Sequence, residues 1–248
     1  MKIKSILVSQ PEPSTAKSPY FELAERNNLK IDFRPFIQVE GLTGKEFRKT
    51  RIHILEHSAV IFTSRTAIDH FFRISQDLRL AIPDTMKYFC ISEATAFYLQ
   101  KYIVYRKRKI FYGNGKFSDL ITVMKKHKDE RFLVPLSDIH KQEIPELLDK
   151  GGFKYTKAIL YRTVSSDLSD LRDVNYDILV FFSPSGIKSL FQNFPDFKQN
   201  NTRIACFGPT TAQAVREAGL KLDIEAPTAQ APSMTMALEQ YIKRVNKN

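Results

Sequence analysis

The chain has 248 residues, of which 43% are hydrophobic, and it carries a formal net charge of +11. This length allows one large domain or two smaller ones, and the positive charge favours an anionic partner. No run reaches the roughly 20 apolar residues that a membrane helix needs, and the apolar stretch at residues 1–11 is too short for a signal peptide. We therefore expect no membrane partner. Both cysteines are expected in buried strands, which favours a cytoplasmic protein.

Extended segments alternate with helices along the first half of the chain. In chain order the residues predict a strand at 4–9, a helix at 20–28, an extended segment at 30–39, a helix at 53–58, a strand at 59–62, a helix at 65–75, a strand at 87–91, a helix at 94–101, a strand at 108–112 and a helix that Ser118 caps and that runs to about 126. This alternation favours parallel sheets with helices on both faces.

A second series of elements begins at residue 131. The residues predict a strand at 131–135, a helix at 141–150 and an extended segment at 157–164, which corresponds to the segment at 30–39. If both extended segments link domains, the chain leaves the first domain near Val39 and returns near Ser165. Domain 1 is then residues 1–38 and 166–248, domain 2 is residues 39–165, and the linkers lie near 36–40 and 161–166.

The chain contains an internal duplication. Ala59–Phe72 (AVIFTSRTAIDHFF) matches Ile178–Phe191 (ILVFFSPSGIKSLF), and Tyr88–Ala96 matches Ile204–Ala212. A repeat of this length is too long for a solenoid unit, so it indicates two similar halves that face each other across a cleft. The predicted fold class is α/β, with two similar domains that each contain a small parallel sheet flanked by helices.

The most basic stretch is Lys101–Lys116, which carries six cations and no acid. A nucleic-acid-binding surface could have this composition, but lysines and arginines also protect a solvated edge strand from aggregation. The interleaved aromatic residues Tyr102, Tyr105, Phe111 and Tyr112 fall in an alternating strand pattern and are expected to face a core. We therefore favour the edge strand and predict no nucleic-acid partner.

The sequence contains no HExxH, GxSxG, Walker or GxGxxG pattern. His53 and His57 have the spacing of metal ligands on a helix, but no third ligand is near in sequence. We therefore predict a surface role for both histidines and no metal site.

Hydroxyl residues or glycine recur where a predicted strand gives way to a helix. Free backbone N–H groups at such a position can bind a carboxylate or a phosphate, and the hydroxyls add further donors. Each of these positions is also explained by ordinary helix capping, so the repetition carries the functional interpretation. The positions are Thr63 and Ser64, Ser92, Ser183 with Ser185 and Gly186, and Gly208 with Thr210 and Thr211.

Several motifs, taken in order, resemble the uroporphyrinogen-III synthase family. They are IFTSRTAIDHFF, ILYRT around Tyr161, FFSPSGIKSLF and RIACFGPTTAQAVREAGL followed by DIEAPTAQAPSMTMAL. The resemblance covers nearly the whole chain. It implies two domains joined by a two-stranded linker, and an enzyme that cyclises the linear tetrapyrrole hydroxymethylbilane and inverts its last ring.

The resemblance also implies a reaction without a metal or organic cofactor, on a small-molecule polycarboxylate. It identifies Tyr161 as the acid that helps the hydroxyl group leave. The alternative interpretation of Tyr161 is an interface tyrosine that anchors the interdomain segment. We also expect a monomer. With the strand-to-helix positions, the resemblance gives ten candidate substrate-binding residues: Thr63, Ser64, Arg65, Ser92, Ser183, Ser185, Gly186, Gly208, Thr210 and Thr211.

One competing interpretation is a non-enzymatic two-domain protein that binds or senses an anionic metabolite. It predicts the same cleft, the same helix starts and the same charge, so an activity assay is needed to separate it from the enzyme.

Overall fold

A computed structural model describes residues 2–172 and 175–246. Its elements are β1 (Ser5–Val8), α1 (Pro19–Asn27), β2 (Lys30–Phe33), β3 (Ile37–Gly41), α2 (Gly44–Lys49), β4 (Ala59–Phe62), α3 (Arg65–Asp77), β5 (Lys87–Cys90), α4 (Glu93–Tyr98), β6 (Ile110–Tyr112), α5 (Phe117–Met124), β7 (Arg131–Ser137), α6 (Glu143–Lys150), β8 (Lys154–Ser165), β9 (Ile178–Phe181), α7 (Pro184–Asn193), β10 (Arg203–Phe207), α8 (Pro209–Glu217), β11 (Leu222–Ala226) and α9 (Met234–Asn246). None of the helices in these described ranges has the length and apolar character needed to cross a membrane.

The chain divides into two compact units. Unit 1 contains Met1–Gln38 and Val164–Asn248, and unit 2 contains Val39–Thr163. The chain passes between them through β3 and β8, which are neighbours in one sheet. These two strands run in opposite directions, because the Ser166 amide donates to the Phe36 carbonyl and the Leu42 amide donates to the Leu160 carbonyl, each at 2.9 Å.

Each unit contains a parallel sheet with the same spatial plan. The sheet of unit 1 has the strand order β11-β10-β9-β1-β2, and the sheet of unit 2 has the order β6-β5-β4-β7-β8, with β3 beyond β8. All the neighbouring pairs described in the five shared positions are parallel. The strands β7 and β8 of unit 2 therefore occupy the places that β1 and β2 occupy in unit 1, although they come last in their unit.

Alternating side chains bury both faces of each sheet. In β4, Val60 and Phe62 pack into one apolar cluster of unit 2, while Ala59 and Ile61 pack into a second cluster. All four residues are fully buried. Unit 1 likewise has two clusters. The α/β class with parallel sheets flanked by helices is confirmed.

The duplicated sequence falls on matching elements. Ala59–Phe72 contains β4 and the start of α3, and Ile178–Phe191 contains β9 and most of α7. Ser64 and Ser183 are the N-caps of these two helices, and each side chain accepts from the backbone amide three residues later. The repetition seen in the sequence is thus a repeated strand, cap and helix.

Three predicted elements need correction. The helix expected at 53–58 is a single 3-10 turn, Ile54–Glu56, because Ile54 is its one buried residue and cannot anchor a longer helix. The His57 Nδ1–H donates to the His53 carbonyl at 2.9 Å. Ser118 is not the cap of α5, since Lys116 takes that position and Ser118 lies inside the helix. The extended segment at 30–39 is divided into β2 and β3 on either side of Pro35.

The basic stretch is only partly an edge strand. Within Lys101–Lys116, the strand β6 covers Ile110–Tyr112 at the edge of its sheet, and the cations before it lie in turns. Tyr102 and Tyr105 pack against the core of unit 2 as expected. Tyr112 departs from the expectation, because it is 39% exposed and its hydroxyl donates to Glu93.

We predict that neither thiol reacts in the folded protein. Cys90 and Cys206 are free and buried, and burial raises the pKa of Cys90 to about 12 and the pKa of Cys206 to about 11. Since the thiolate is the reactive form, a thiol-specific chromogenic disulfide should detect no thiol in native protein and two thiols in guanidinium chloride. Rapid modification of the native protein would contradict the burial of the two residues.

Candidate active site

A cavity of about 710 Å³ lies in unit 2 where the strands of its sheet end. Parallel strands place all their carboxyl ends at one edge, and open α/β sheets bind ligands there, where the strand order reverses. In unit 2 that reversal lies between β7 and β4, and residues following both strands line the cavity. The lining residues include Thr63, Ser64, Ser92, Lys116, His140, Lys141 and Tyr161.

Ser64 connects a helix cap to Tyr161. Its backbone is extended, and its Oγ accepts from the Ala67 amide at 3.0 Å, which satisfies a free donor at the start of the thirteen-residue helix α3. The same Oγ lies 3.4 Å from the hydroxyl oxygen of Tyr161. Tyr161 lies in β8 and is 9% exposed. Tyr161 is therefore a mostly buried residue whose hydroxyl lies beside a second hydroxyl, and both residues line the cavity.

The backbone of Tyr161 is fixed by the end of β7. The Asp138 amide donates to the Tyr161 carbonyl at 3.1 Å, and Asp138 Oδ1 accepts from the Thr163 amide at 3.0 Å. Burial raises the pKa of Asp138, but the hydrogen bonds from Thr163, Ser137 and Ile139 outweigh this and hold it below its usual value. The Asp138 amide thus binds β8 at Tyr161 itself, and the Asp138 carboxylate binds it two residues later, at Thr163.

Ser92 and Gly208 occupy matching positions in the two units but start their helices differently. Ser92 has φ −148° and its side chain accepts from the Thr95 amide at 3.3 Å. Gly208 has φ +91°, a conformation that strains other residues, and its amide donates to the Ala226 carbonyl. A hydroxyl is therefore present at this position in unit 2, and glycine backbone takes its place in unit 1.

Two helix starts at the cavity are not capped by side chains. Within the described part of the chain, no side chain caps α5 or α6. Lys116, at the cap of α5, and Lys141, just before α6, are both exposed cavity residues. Backbone amides, the positive ends of two helices and two cations are thus available to an anion at this edge.

His140 is a cavity residue with an unsatisfied ring nitrogen. Its Nδ1 lies 2.8 Å from the Ser137 carbonyl, which can only accept, so Nδ1 carries the proton. Among residues 2–172 and 175–246, its Nε2 is one of two buried side-chain atoms without a hydrogen-bond partner. His140 was not predicted from the sequence, and no local motif distinguishes it.

The remaining predicted residues of unit 2 divide between the cavity and its surroundings. Thr63, Ser64 and Ser92 line the cavity with Tyr161. Arg65 is exposed, and its guanidinium carbon lies 5.3 Å from the centre of the Tyr98 ring. Arg65 is not among the residues that line this cavity.

The predicted residues of unit 1 lie at the carboxyl ends of β9 and β10. The Ser183 side chain accepts from the Gly186 amide at 3.2 Å and caps α7. Ser185 is half-buried and Thr210 is exposed in the first turn of α8. Thr211 is 1% exposed, so its side chain belongs to the packed interior.

Comparisons with known proteins all name one family. The family model HEM4, described as uroporphyrinogen-III synthase HemD, matches residues 18–236. The chain belongs to the uroporphyrinogen-III synthase family. It is 23% identical to the uroporphyrinogen-III synthase of Chlorobaculum parvum, over 97% of this chain and 100% of that protein. It is 27% identical to the Saccharomyces cerevisiae uroporphyrinogen-III synthase over 52% of this chain and 54% of the yeast protein.

Solved structures in the family share the fold. The chain matches the uroporphyrinogen-III synthetase of Helicobacter pylori with a TM-score of 0.60 and 16% identity, covering 98% of this chain and 100% of that one. A mutant uroporphyrinogen III synthase of Thermus thermophilus matches with a TM-score of 0.53 and 15% identity, covering 99% and 100%. Membership in this family makes the chain an enzyme, and the non-enzymatic interpretation is not favoured.

We predict that Ser64→Ala lowers the free energy of unfolding by about 1 kcal/mol, because the start of α3 loses its side-chain cap. Ser64→Gly should cost only a few tenths of a kcal/mol, since glycine is a tolerated cap residue. Both substitutions remove the oxygen next to Tyr161. Urea unfolding of the wild type and the two variants measures these differences. A Ser64→Ala variant as stable as the wild type would show that the cap does not stabilise the helix.

Proposed function

We propose that this chain converts hydroxymethylbilane to uroporphyrinogen III with loss of water, as a lyase that uses no metal or organic cofactor. Family membership supports the substrate and product. The observation that carries the proposal is the position of the Tyr161 hydroxyl, which lies 3.4 Å from the Ser64 Oγ at the cavity where the strands of unit 2 end.

Tyr161 is the proposed acid. A tyrosine hydroxyl keeps its proton at neutral pH and can transfer it to a departing hydroxyl group. Loss of that hydroxyl from the substrate leaves an azafulvene cation, which attacks the substituted carbon of ring D and gives a spiro intermediate. Rearrangement then closes the macrocycle at the unsubstituted carbon of ring D, and the proton which that carbon loses returns to the Tyr161 oxygen, so that the net loss is one water. Most of the catalytic effect comes from holding a flexible linear substrate in the reactive conformation.

The proposed substrate contacts are the helix starts, with Tyr161 as the acid. The polycarboxylate substrate suits backbone amides and hydroxyls at helix starts, supplemented by cations. The proposed residues are Thr63, Ser64, Arg65 and Ser92 in unit 2, and Ser183, Ser185, Gly186, Gly208, Thr210 and Thr211 in unit 1. Of these, the three hydroxyl residues that line the cavity of unit 2 have the strongest support. Thr211 has the weakest, because its side chain is buried.

We further propose a monomer that functions in the cytoplasm. The two free, buried cysteines support a reducing compartment. Sedimentation of the purified protein would test the monomer directly.

The proposed activity is tested by adding the purified chain to freshly generated hydroxymethylbilane and separating the type I and type III isomers by chromatography. We expect mainly the type III isomer. If only the type I isomer formed, as it does without enzyme, the proposed reaction would be wrong.

We predict that Tyr161→Phe lowers kcat about 100-fold, the low end of the range for a general acid or base, without abolishing formation of the type III isomer. The substitution removes the donor and keeps the ring, so KM and thermal stability should change little. Turnover measured across substrate concentrations checks this. An unchanged kcat would exclude Tyr161 as the acid.

We predict that replacing Lys116 and Lys141 together with alanine raises KM about tenfold, the effect of losing one charge-assisted hydrogen bond. Replacing Lys107 and Lys126 together with alanine is the matched control, since both are exposed cations outside the cavity. The difference between wild type and the Lys116, Lys141 double variant should shrink as salt is added, because salt screens exposed charges. Equal effects of the two double variants would indicate general steering by net charge.

A further inference from the structure

We infer that His70 is a positioning residue for Tyr161. Arg73 orients the His70 ring, and Gly41 leaves room for the ring because it has no side chain. The inference rests on the proposed role of Tyr161 as the acid. His70 does not line the cavity that Tyr161 lines. It therefore contacts the tyrosine without being part of the cavity lining.

The contact between His70 and Tyr161 is a ring stack. The ring centres are 4.8 Å apart and the planes differ by 18°, which is the geometry of a favourable offset pair. Tyr161 projects from a strand and His70 from helix α3, so the stack joins two separate elements. His70 thus contacts the face of the Tyr161 ring, and the Ser64 oxygen lies near the Tyr161 hydroxyl.

Arg73 fixes the orientation of the histidine ring. Its Nε donates to His70 Nδ1 at 3.3 Å. An arginine can only donate, so Nδ1 is the acceptor and the proton of the neutral ring lies on Nε2. Arg73 is itself held by the Leu42 carbonyl at 2.6 Å and by Asp77 at 2.9 Å. The histidine is thus tied to a guanidinium with fixed partners.

Gly41 provides the space for this arrangement. A Cβ atom at Gly41 would lie 2.6 Å from His70 Nδ1 and 2.6 Å from Arg73 Nη2. These distances are too short for any side chain, so a larger residue would displace the His70 ring or the guanidinium. The end of β3 therefore approaches these two side chains so closely that they keep their positions only beside a residue without a side chain.

Burial and the charge of Arg73 favour the neutral form of the histidine. Burial lowers the pKa of His70, the positive charge of Arg73 lowers it further, and Asp69 opposes these effects. The neutral form is also the one that the geometry requires, because Nδ1 must be unprotonated to accept from Arg73.

The test compares His70→Ala with His70→Phe in hydroxymethylbilane turnover. The alanine variant loses the stack, so we expect kcat to fall about tenfold, the rate equivalent of a strong aromatic pair, with little change in KM. The phenylalanine variant keeps an aromatic face against Tyr161 and should recover most of kcat, although Arg73 loses its acceptor. His53→Ala is the matched control, since His53 is an exposed histidine outside the site.

A double-mutant cycle with Tyr161→Phe separates positioning from general stabilisation. If His70 acts through the tyrosine hydroxyl, His70→Ala should have almost no further effect on kcat once that hydroxyl is gone. Gly41→Ala should behave in the same way, with a reduced kcat in the wild-type background and little effect in the Tyr161→Phe background. Thermal melting of every variant shows whether each one is folded.

Two results would overturn the inference. One is an additive loss of kcat in the His70→Ala, Tyr161→Phe double variant. The other is a His70→Phe variant as slow as His70→Ala. Either result could occur in a chain whose wild type forms the type III isomer, so the positioning role can fail while the proposed reaction stands. A wild type that forms only the type I isomer would instead remove the proposed reaction.

Discussion

Parallel hydrogen bonding between β7, β4 and β5 is the constraint on which the candidate site depends. Because the strands run the same way, their carboxyl ends meet at one edge and bring together residues that are distant in sequence. Ser64 and Tyr161, for example, are 97 residues apart. No single segment of the chain could place a tyrosine, two capping serines and a histidine around one cavity.

The sequence predicts best what is encoded locally. Ser64, Ser92 and Ser183 were recognised as helix starts because capping requires only a hydroxyl and an amide a few residues later. Strands buried on both faces were recognised for the same reason, because each is a short run of apolar residues. The cap of α5 was predicted at Ser118, two residues after its position at Lys116. The turn at Ile54–Glu56 was predicted as a longer helix. Both errors concern element ends, where neighbouring residues compete closely.

Long-range packing accounts for what the sequence did not predict. In the sequence, His70 is one residue of a predicted helix, and only the folded structure places it against Tyr161. The close approach of Gly41 to α3 is likewise visible only in the folded structure. His140 is distinguished only by its surroundings in the fold, which bury Nε2 without a hydrogen-bond partner among the described residues. Tyr161 itself was identified by family resemblance, since no short motif around it dictates a chemical role.

The strand order of the two units has a consequence for synthesis on the ribosome. Unit 2 is one continuous segment, Val39–Thr163, so all of it is translated before the second part of unit 1. The strands β1 and β2 emerge first, but β1 lacks its neighbour β9 until residue 178 has been made. Domains fold as units during translation. Unit 2 can therefore fold while β1 and β2 still lack the other three strands of their sheet.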